Sequence, residues 1–265
     1  MREVTFEESR EILLSIMDDI DSFCRKNDIK YSITSGTLIG AIRHKGFIPW
    51  DDDLDIMMER EQYDMFVSSY KSDKYQLLCV NNSSDWADLY FRVVDNRTTI
   101  KWQNRSGYSH GLWVACLPFD HIPSDKKQYE SLRRKACRYF NLFWKIKKSS
   151  WIENGSILRN IIKYILRCLY KLFPATLVGV KMEKTIKKFG KSPSNEWGSV
   201  SWWWNRILKF PANTFDGYCD VEFEGRKYMA IKNYDSYLRK VYGDYMQLPP
   251  EKDRVPQHGY TAYWK

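Results

Sequence analysis

Residues 49–58 read P-W-D-D-D-L-D-I-M-M. Pro49 breaks the chain, and from Asp53 carboxylates then alternate with apolar side chains: Asp53-Leu54-Asp55-Ile56-Met57. A half-buried strand satisfies that period of two, with Leu54 and Ile56 on a core face and Asp51, Asp53 and Asp55 together on the other. Three like charges on one face repel, so the pattern predicts a cation between them. Hard oxygen ligands suit Mg²⁺, with Mn²⁺ as the alternative, and such a site keeps positions for phosphate and water.

Just upstream, Ser35-Gly36-Thr37 is a turn that opens a short helix reaching about Arg43. The backbone N–H groups at Gly36 and Thr37 then lie at a helix N-terminus, a natural place for a phosphate. Arg43 and Lys45 add positive charge in the same loop. A phosphate cradle beside a metal-binding carboxylate pair is the equipment of phosphoryl transfer, where catalysis is mostly positioning and charge neutralisation. An acidic turn capping a neighbouring helix would explain a bare D-x-D, but not this combination.

The rest of the chain reads as a mixed sheet with helices around it. Thr5 and Glu8 form a capping-box pattern ahead of the stripe Ile12, Leu13, Ile16, Met17, Ile20, Phe23 and Cys24, which predicts a first helix ending near Asn27. Strands are expected at residues 30–34, 75–80, 89–94, 98–102 and 112–117. From Asp125 to about Phe189 the pattern is helical, with no strand signal until roughly Val200. Inside it Arg159, Lys163, Arg167 and Lys171 recur every fourth residue among apolar neighbours. That suits either a core-facing helix with a solvated cationic face or a helix lying in a membrane interface. Residues 218–223 and 227–231 around Glu224-Gly225 read as a hairpin, and 233–242 as a closing helix.

Composition excludes several classes. At 265 residues, with 43% hydrophobic and 28% charged, the chain is neither disordered nor fibrous. Six cysteines without a C-x-x-C pair suggest reduced thiols, not a zinc knuckle or a disulfide scaffold. MREVTFEESR lacks the apolar core of a signal peptide, and no run of about 18 apolar residues occurs, so a cytoplasmic, non-spanning protein is expected. The net charge of +9 favours polyanions, yet no RNA- or DNA-reading motif is present and nucleic acid is not an expected partner. His44, His110, His121 and His258 form no metal-binding spacing.

The segment from Ser35 to Met57 resembles the signature of the LicD family, also called LicD/fukutin, and residues 110–120 and 242–264 resemble the corresponding later segments. The resemblance implies a single α+β domain over residues 1–265: a polymerase-β-type nucleotidyltransferase core, a mixed sheet flanked by helices, with a helical insertion at about 125–195. It implies a metal-dependent phosphotransferase that moves phosphocholine from CDP-choline to a sugar hydroxyl of a cell-surface glycan, such as lipopolysaccharide or teichoic acid, releasing CMP. Phosphoethanolamine or a sugar-alcohol phosphate from its own CDP donor is the alternative. In family terms Gly36 and Thr37 contact the donor phosphates, Asp53 and Asp55 bind the metal, and Arg92 neutralises the diphosphate. His258, in the family-like tail, is placed near the active site. A lipid-linked acceptor would bring the basic helix of residues 159–171 to the inner face of the membrane.

One departure stands out. Family members commonly read I-D-I-F-P where this chain reads Val114-Ala115-Cys116-Leu117-Pro118, so Ala115 occupies the position of an expected third carboxylate. That carboxylate would complete the metal cluster and accept the proton of the attacking hydroxyl. Two accounts stand: a substitution introduced to trap substrates, or natural divergence with Asp51, Asp52 or Asp120 compensating. Strand parity makes Asp120 a poor substitute. A non-catalytic nucleotide- or glycan-binding protein is the competing class of function. Choline itself would need aromatic faces, for which Trp102, Trp202, Trp203, Trp204, Tyr260, Tyr263 and Trp264 are candidates.

Overall fold

The capping box forms as the sequence predicts. The Glu8 N–H donates to Thr5 Oγ1 at 3.1 Å and the Thr5 N–H to the Glu8 carboxylate at 2.9 Å. They open α1 (Phe6–Lys26), which buries Ile12, Leu13, Leu14, Ile16, Met17, Ile20 and Cys24. The computed structural model describes residues 1–83, 86, 88–102, 110–147, 157, 160, 161, 164, 165, 175–191, 194–201, 207–256 and 258–265.

After α1 come β1 (Ser32–Ile33), α2 (Ser35–His44), β2 (Leu54–Glu59), α3 (Arg60–Ser69), β3 (Gln76–Leu78), β4 (Phe91–Val94), β5 (Thr98–Trp102) and β6 (Trp113–His121). The described helices α4 (Lys126–Lys147) and α5 (Ala175–Gly190) follow, then β7 (Glu196–Gly198), β8 (Phe210–Pro211), the hairpin β9 (Tyr218–Phe223) and β10 (Arg226–Ile231), α6 (Tyr234–Tyr242) and β11 (Tyr260–Trp264). The main sheet runs β1-β2-β6-β4-β3, with β7 on the far end of β6 and β8 beyond it. β2 and β6 are parallel, and the other pairs are antiparallel. This is the mixed sheet with surrounding helices that the periodicities predict.

β6 runs past the expected end at Leu117. Its antiparallel partner β4 stops at Cys116 and β7 begins at Asp120, so Pro118 sits between them, where its missing N–H leaves neither ladder short of a bond. β7 corrects the expectation of no strand before roughly Val200: three residues are too few to show alternation, and pairing with the end of β6 creates the strand. β11 was also not expected, and it pairs with β5.

A large core fills the space between the sheet, α1 and α6. A second apolar cluster around Ile122, Leu132, Ala136, Met182 and Ile186 joins α4 and α5 to the end of β6. Between the two cores, Arg60 makes a bidentate pair with Asp120 (2.7 and 2.9 Å) and reaches Glu183 at 3.5 Å. Arg159, Lys163, Arg167 and Lys171, with Trp202, Trp203 and Trp204, lie outside the described residues. No helix among the described residues is long and apolar enough to cross a membrane.

Candidate active site

The parallel pairing of β2 with β6 sets Asp55 directly beside Ala115, and the antiparallel pairing of β6 with β4 sets Ala115 directly beside Arg92. Directly paired residues share a face, so Asp55, Ala115 and Arg92 form one row across three strands. Trp113, two residues before Ala115, shares that face. Asp55 is held from behind: its backbone N–H donates to Thr37 Oγ1 at 2.9 Å, and its carbonyl accepts the Thr34 N–H at 3.0 Å. Ala115 thus occupies the position where a carboxylate would lie between Asp55 and Arg92, and it is buried.

The strand begins only at Leu54, so Asp51, Asp52 and Asp53 belong to a loop, turned by the Asp51 N–H bonding to Ile48 O at 2.9 Å. Strand parity therefore does not govern them, and the adjacent Asp52 and Asp53 both meet one partner. His258 Nδ1 lies 2.8 Å from Asp52 Oδ1, and its Nε2 lies 3.2 Å from Asp53 Oδ2. The Tyr260 hydroxyl donates to the Asp52 carbonyl at 2.9 Å. Asp52, Asp53 and His258 each offer one ligand atom, all within 4.8 Å of one another. The family resemblance implied Asp53 and Asp55 as the metal pair; the structure groups Asp53 with Asp52 and His258, and keeps Asp55 close enough to feel the charges of Asp53 and His258.

Crowding of like charges dominates the electrostatics. Burial, then the charges of Asp53 and Asp52, push Asp51 up to about 8. Burial also raises Asp53, and burial with the Asp53 charge raises Asp55. Burial works against the charge on His258, but the bond to Asp52 and the charges of Asp53 and Asp52 outweigh it and hold the imidazole at about 9. A cluster that keeps protons at neutral pH is a cluster short of positive charge. The carboxylate oxygens fit a hard divalent ion, Mg²⁺ or Mn²⁺, while the imidazole nitrogen is a softer ligand than such an ion prefers.

Gly36 lies against this cluster: a Cβ there would come within 2.4 Å of Asp51 Oδ2. Gly36 and Thr37 form the first turn of α2, and the N-cap Thr34 makes no side-chain cap because its hydroxyl bonds that of Tyr237 at 2.7 Å. Arg43 and Lys45 are a different matter. Arg43 stands in the last turn of the ten-residue α2 and Lys45 at its C-cap, about 10 Å or more along the axis from its first turn. Arg43 Nη1 donates to the carbonyls of Tyr245 (2.7 Å) and Gln247 (3.3 Å), while Lys45 is exposed in the left-handed region with φ 60°. Arg43 and Lys45 thus do not share one loop with Gly36 and Thr37: neighbours in sequence are carried apart by the helix between them. His44 shares that end of α2 and receives the Arg43 Nε–H at 3.4 Å.

Arg92 is buried in an aromatic enclosure. Its guanidinium carbon lies 4.0 Å from the ring centre of Trp113, 5.1 Å from Trp86 and 5.6 Å from Tyr90, and Nη2 donates to the Tyr90 hydroxyl at 3.1 Å. Its Nε has no hydrogen-bond partner among the described residues. A buried, unpaired guanidinium donor facing Ala115 is a position for an anion.

The aromatic candidates for choline divide. Trp102 and Tyr260 cluster with Trp113, at 6.1 and 5.2 Å, and Trp113 meets His258 edge-on at 5.9 Å. Tyr263 is covered by Lys101, and Trp264 by Arg2 and Arg97, away from the cluster. Asp120 is committed to Arg60, as strand parity predicts. Sequence reasoning missed Trp86, Tyr90 and Trp113; parity with Ala115 was the available signal for Trp113.

Comparison with known proteins identifies the family of the chain. Residues 28–143 match the family model described as LicD/FKTN/FKRP, nucleotidyltransferase domain. Over 272 residues, 99% of this chain and 99% of the relative, the sequence is 30% identical to the lipopolysaccharide cholinephosphotransferase LicD of Haemophilus influenzae. Shorter matches, 55% identical over 49 residues, cover 18% of this chain and 18% and 16% of uncharacterised proteins from Rickettsia prowazekii and Rickettsia typhi. With near-complete coverage of the Haemophilus relative and the signature segment in place, the chain belongs to the LicD family.

Proposed function

We propose that this protein is a phosphocholine transferase that uses CDP-choline and a divalent ion, Mg²⁺ or Mn²⁺, to modify a sugar hydroxyl of a cell-surface glycan. The observation that carries the reading is the row Asp55–Ala115–Arg92 beside the Asp52–Asp53–His258 cluster. It puts carboxylates and an unpaired guanidinium donor on either side of one position, an arrangement that suits a metal-bound diphosphate. The family description names a nucleotidyltransferase domain, and the sheet is read as the polymerase-β-type form of that core.

Asp53 and Asp55, with Asp52 and His258, would hold the ion, which supplies charge neutralisation on the phosphates and on the departing CMP. Arg92 Nε donates to a diphosphate oxygen, and the first-turn N–H groups of α2 add dipolar stabilisation. The acceptor hydroxyl attacks the β-phosphorus, the bond to the CMP oxygen breaks, and the hydroxyl proton must leave. Ala115 offers no carboxylate to take it. Contact with the inner face of the membrane belongs to this reading when the acceptor is lipid-linked, and the exposed Ile157, Ile161 and Ile165 are consistent with it.

Ala115 also favours a second reading, a nucleotide- or glycan-binding protein that does not catalyse. Titration calorimetry with CDP-choline and a CMP-release assay, run on this chain and on Ala115→Asp, separate the two. The transferase reading expects donor binding by both proteins and CMP release roughly 10²- to 10⁴-fold faster in Ala115→Asp. Binding without release in either protein supports the binding role. Equal release rates would show that position 115 does not hold the missing carboxylate.

A further inference from the structure

The segment that carries the aspartates has no helix or strand of its own between Lys45 and Leu54, yet it must hold several like charges side by side. Two polar side chains from distant elements grip it. From α1, Arg10 Nη2 donates to three carbonyls of that backbone: Ile48 O at 2.9 Å, Pro49 O at 3.1 Å and Asp51 O at 3.4 Å. The guanidinium lies between the rings of Phe6 (4.3 Å) and Phe47 (4.6 Å), which fix its plane. From the turn of the β9–β10 hairpin, Glu224 Oε1 accepts the Phe47 N–H at 2.9 Å, and the Glu224 N–H donates to Lys45 O at 2.8 Å. Gly46 lets Glu224 come this close, since a Cβ there would meet Oε1 at 2.1 Å.

Close packing does not complete the job. A cavity of about 210 Å³, lined in part by Phe6, Arg10, Leu13, Asp52 and Tyr260, adjoins the segment on the α1 side. The segment therefore has room to move toward α1, and its repelling carboxylates give it reason to.

We infer that Arg10 and Glu224 are positioning residues that fix the aspartate-bearing segment in its ion-binding shape. The inference deepens the metal-site reading and rests on it for one of its two measurements. Arg10→Met keeps the packing between the two phenylalanine rings and removes every donor. Arg10→Lys restores a charge and a donor, and Glu224→Gln keeps an acceptor that Glu224→Ala lacks. Amide hydrogen exchange on the ion-free protein reads the segment directly, and Mn²⁺ affinity by electron paramagnetic resonance reads its consequence.

In Arg10→Met and Glu224→Ala, exchange at residues 47–53 should rise at least tenfold with the α1 interior unchanged, and Mn²⁺ affinity should fall roughly 10- to 100-fold. Arg10→Lys should fall between Arg10→Met and the parent, and Glu224→Gln should match the parent. Unchanged exchange at 47–53 in Arg10→Met overturns the inference, as does exchange that rises throughout α1, which would make Arg10 a general support of the fold. If the parent protein binds no Mn²⁺, the metal-site reading fails while the exchange measurement still decides the clamp.

Discussion

His258 bridges two neighbouring carboxylates, with Nδ1 at 2.8 Å from Asp52 and Nε2 at 3.2 Å from Asp53. Its charge and the raised carboxyl of Asp51 give the site a pH signature. His258 is raised to about 9, so the stability it contributes is complete below its unfolded value near 6.5 and is lost as pH rises through 9. Asp51, raised to about 8, favours the protonated folded state, so its contribution also declines as pH climbs from its unfolded value to 8. Thermal melts of the ion-free protein should fall between pH 6.5 and 9. A divalent ion must displace these protons, so the rise in Tm produced by Mg²⁺ should be larger at pH 8.5 than at pH 6.5. A flat Mg²⁺ effect across that range would contradict the arrangement.

Gly36→Ala tests the close approach of Asp51. The added Cβ would fall 2.4 Å from Asp51 Oδ2, which lies at the end of a side chain able to swing away. The fold should survive and the carboxylate should not stay in place. Calorimetry should show Mn²⁺ affinity lowered about tenfold, with Tm changed by only a few degrees.

Thr37→Val removes the acceptor of the buried Asp55 N–H while keeping the side-chain shape. An orphaned buried donor costs about 1–3 kcal/mol. Urea denaturation should show a loss of that size, whereas Thr37→Ser, which keeps the hydroxyl, should recover most of it.

Arg60→Met is the contrasting case, because it breaks a buried pair remote from the carboxylate cluster. Asp120, whose side chain is 3% exposed, would be left without its bidentate partner. The expected destabilisation is about 3–5 kcal/mol by denaturant titration, with Mn²⁺ affinity in the folded protein unchanged. A parallel loss of ion affinity would mean that the Arg60 network reaches the site after all.

Much of the fold was legible because its signals are local. The Thr5–Glu8 box fixes the start of α1 within four residues, and Glu224-Gly225, with φ of 49° and 71°, supplies the turn its hairpin needs. β7 and β11 carry no such signal, for each exists through a partner far away in sequence. At the site, the inward alternation around Asp55 was readable in the strand itself, whereas Ala115 and Arg92 came from the family resemblance and their alignment in one row only from the pairing of β2, β6 and β4. Asp52 escaped that logic because it lies in a loop, and the separation of Arg43 and Lys45 from the Gly36 turn was not readable because proximity along the sequence says nothing about the two ends of a helix.

Asp52 and His258 are separated by 206 positions. During translation the aspartates emerge early and must wait for nearly all the remaining polypeptide before their imidazole exists, and β11, whose Tyr260 holds the Asp52 carbonyl, comes later still. A nascent LicD-type chain of this sequence should therefore be unable to close the Asp52–His258 contact on the ribosome, and any clipping ahead of residue 258 would leave the aspartates without that partner.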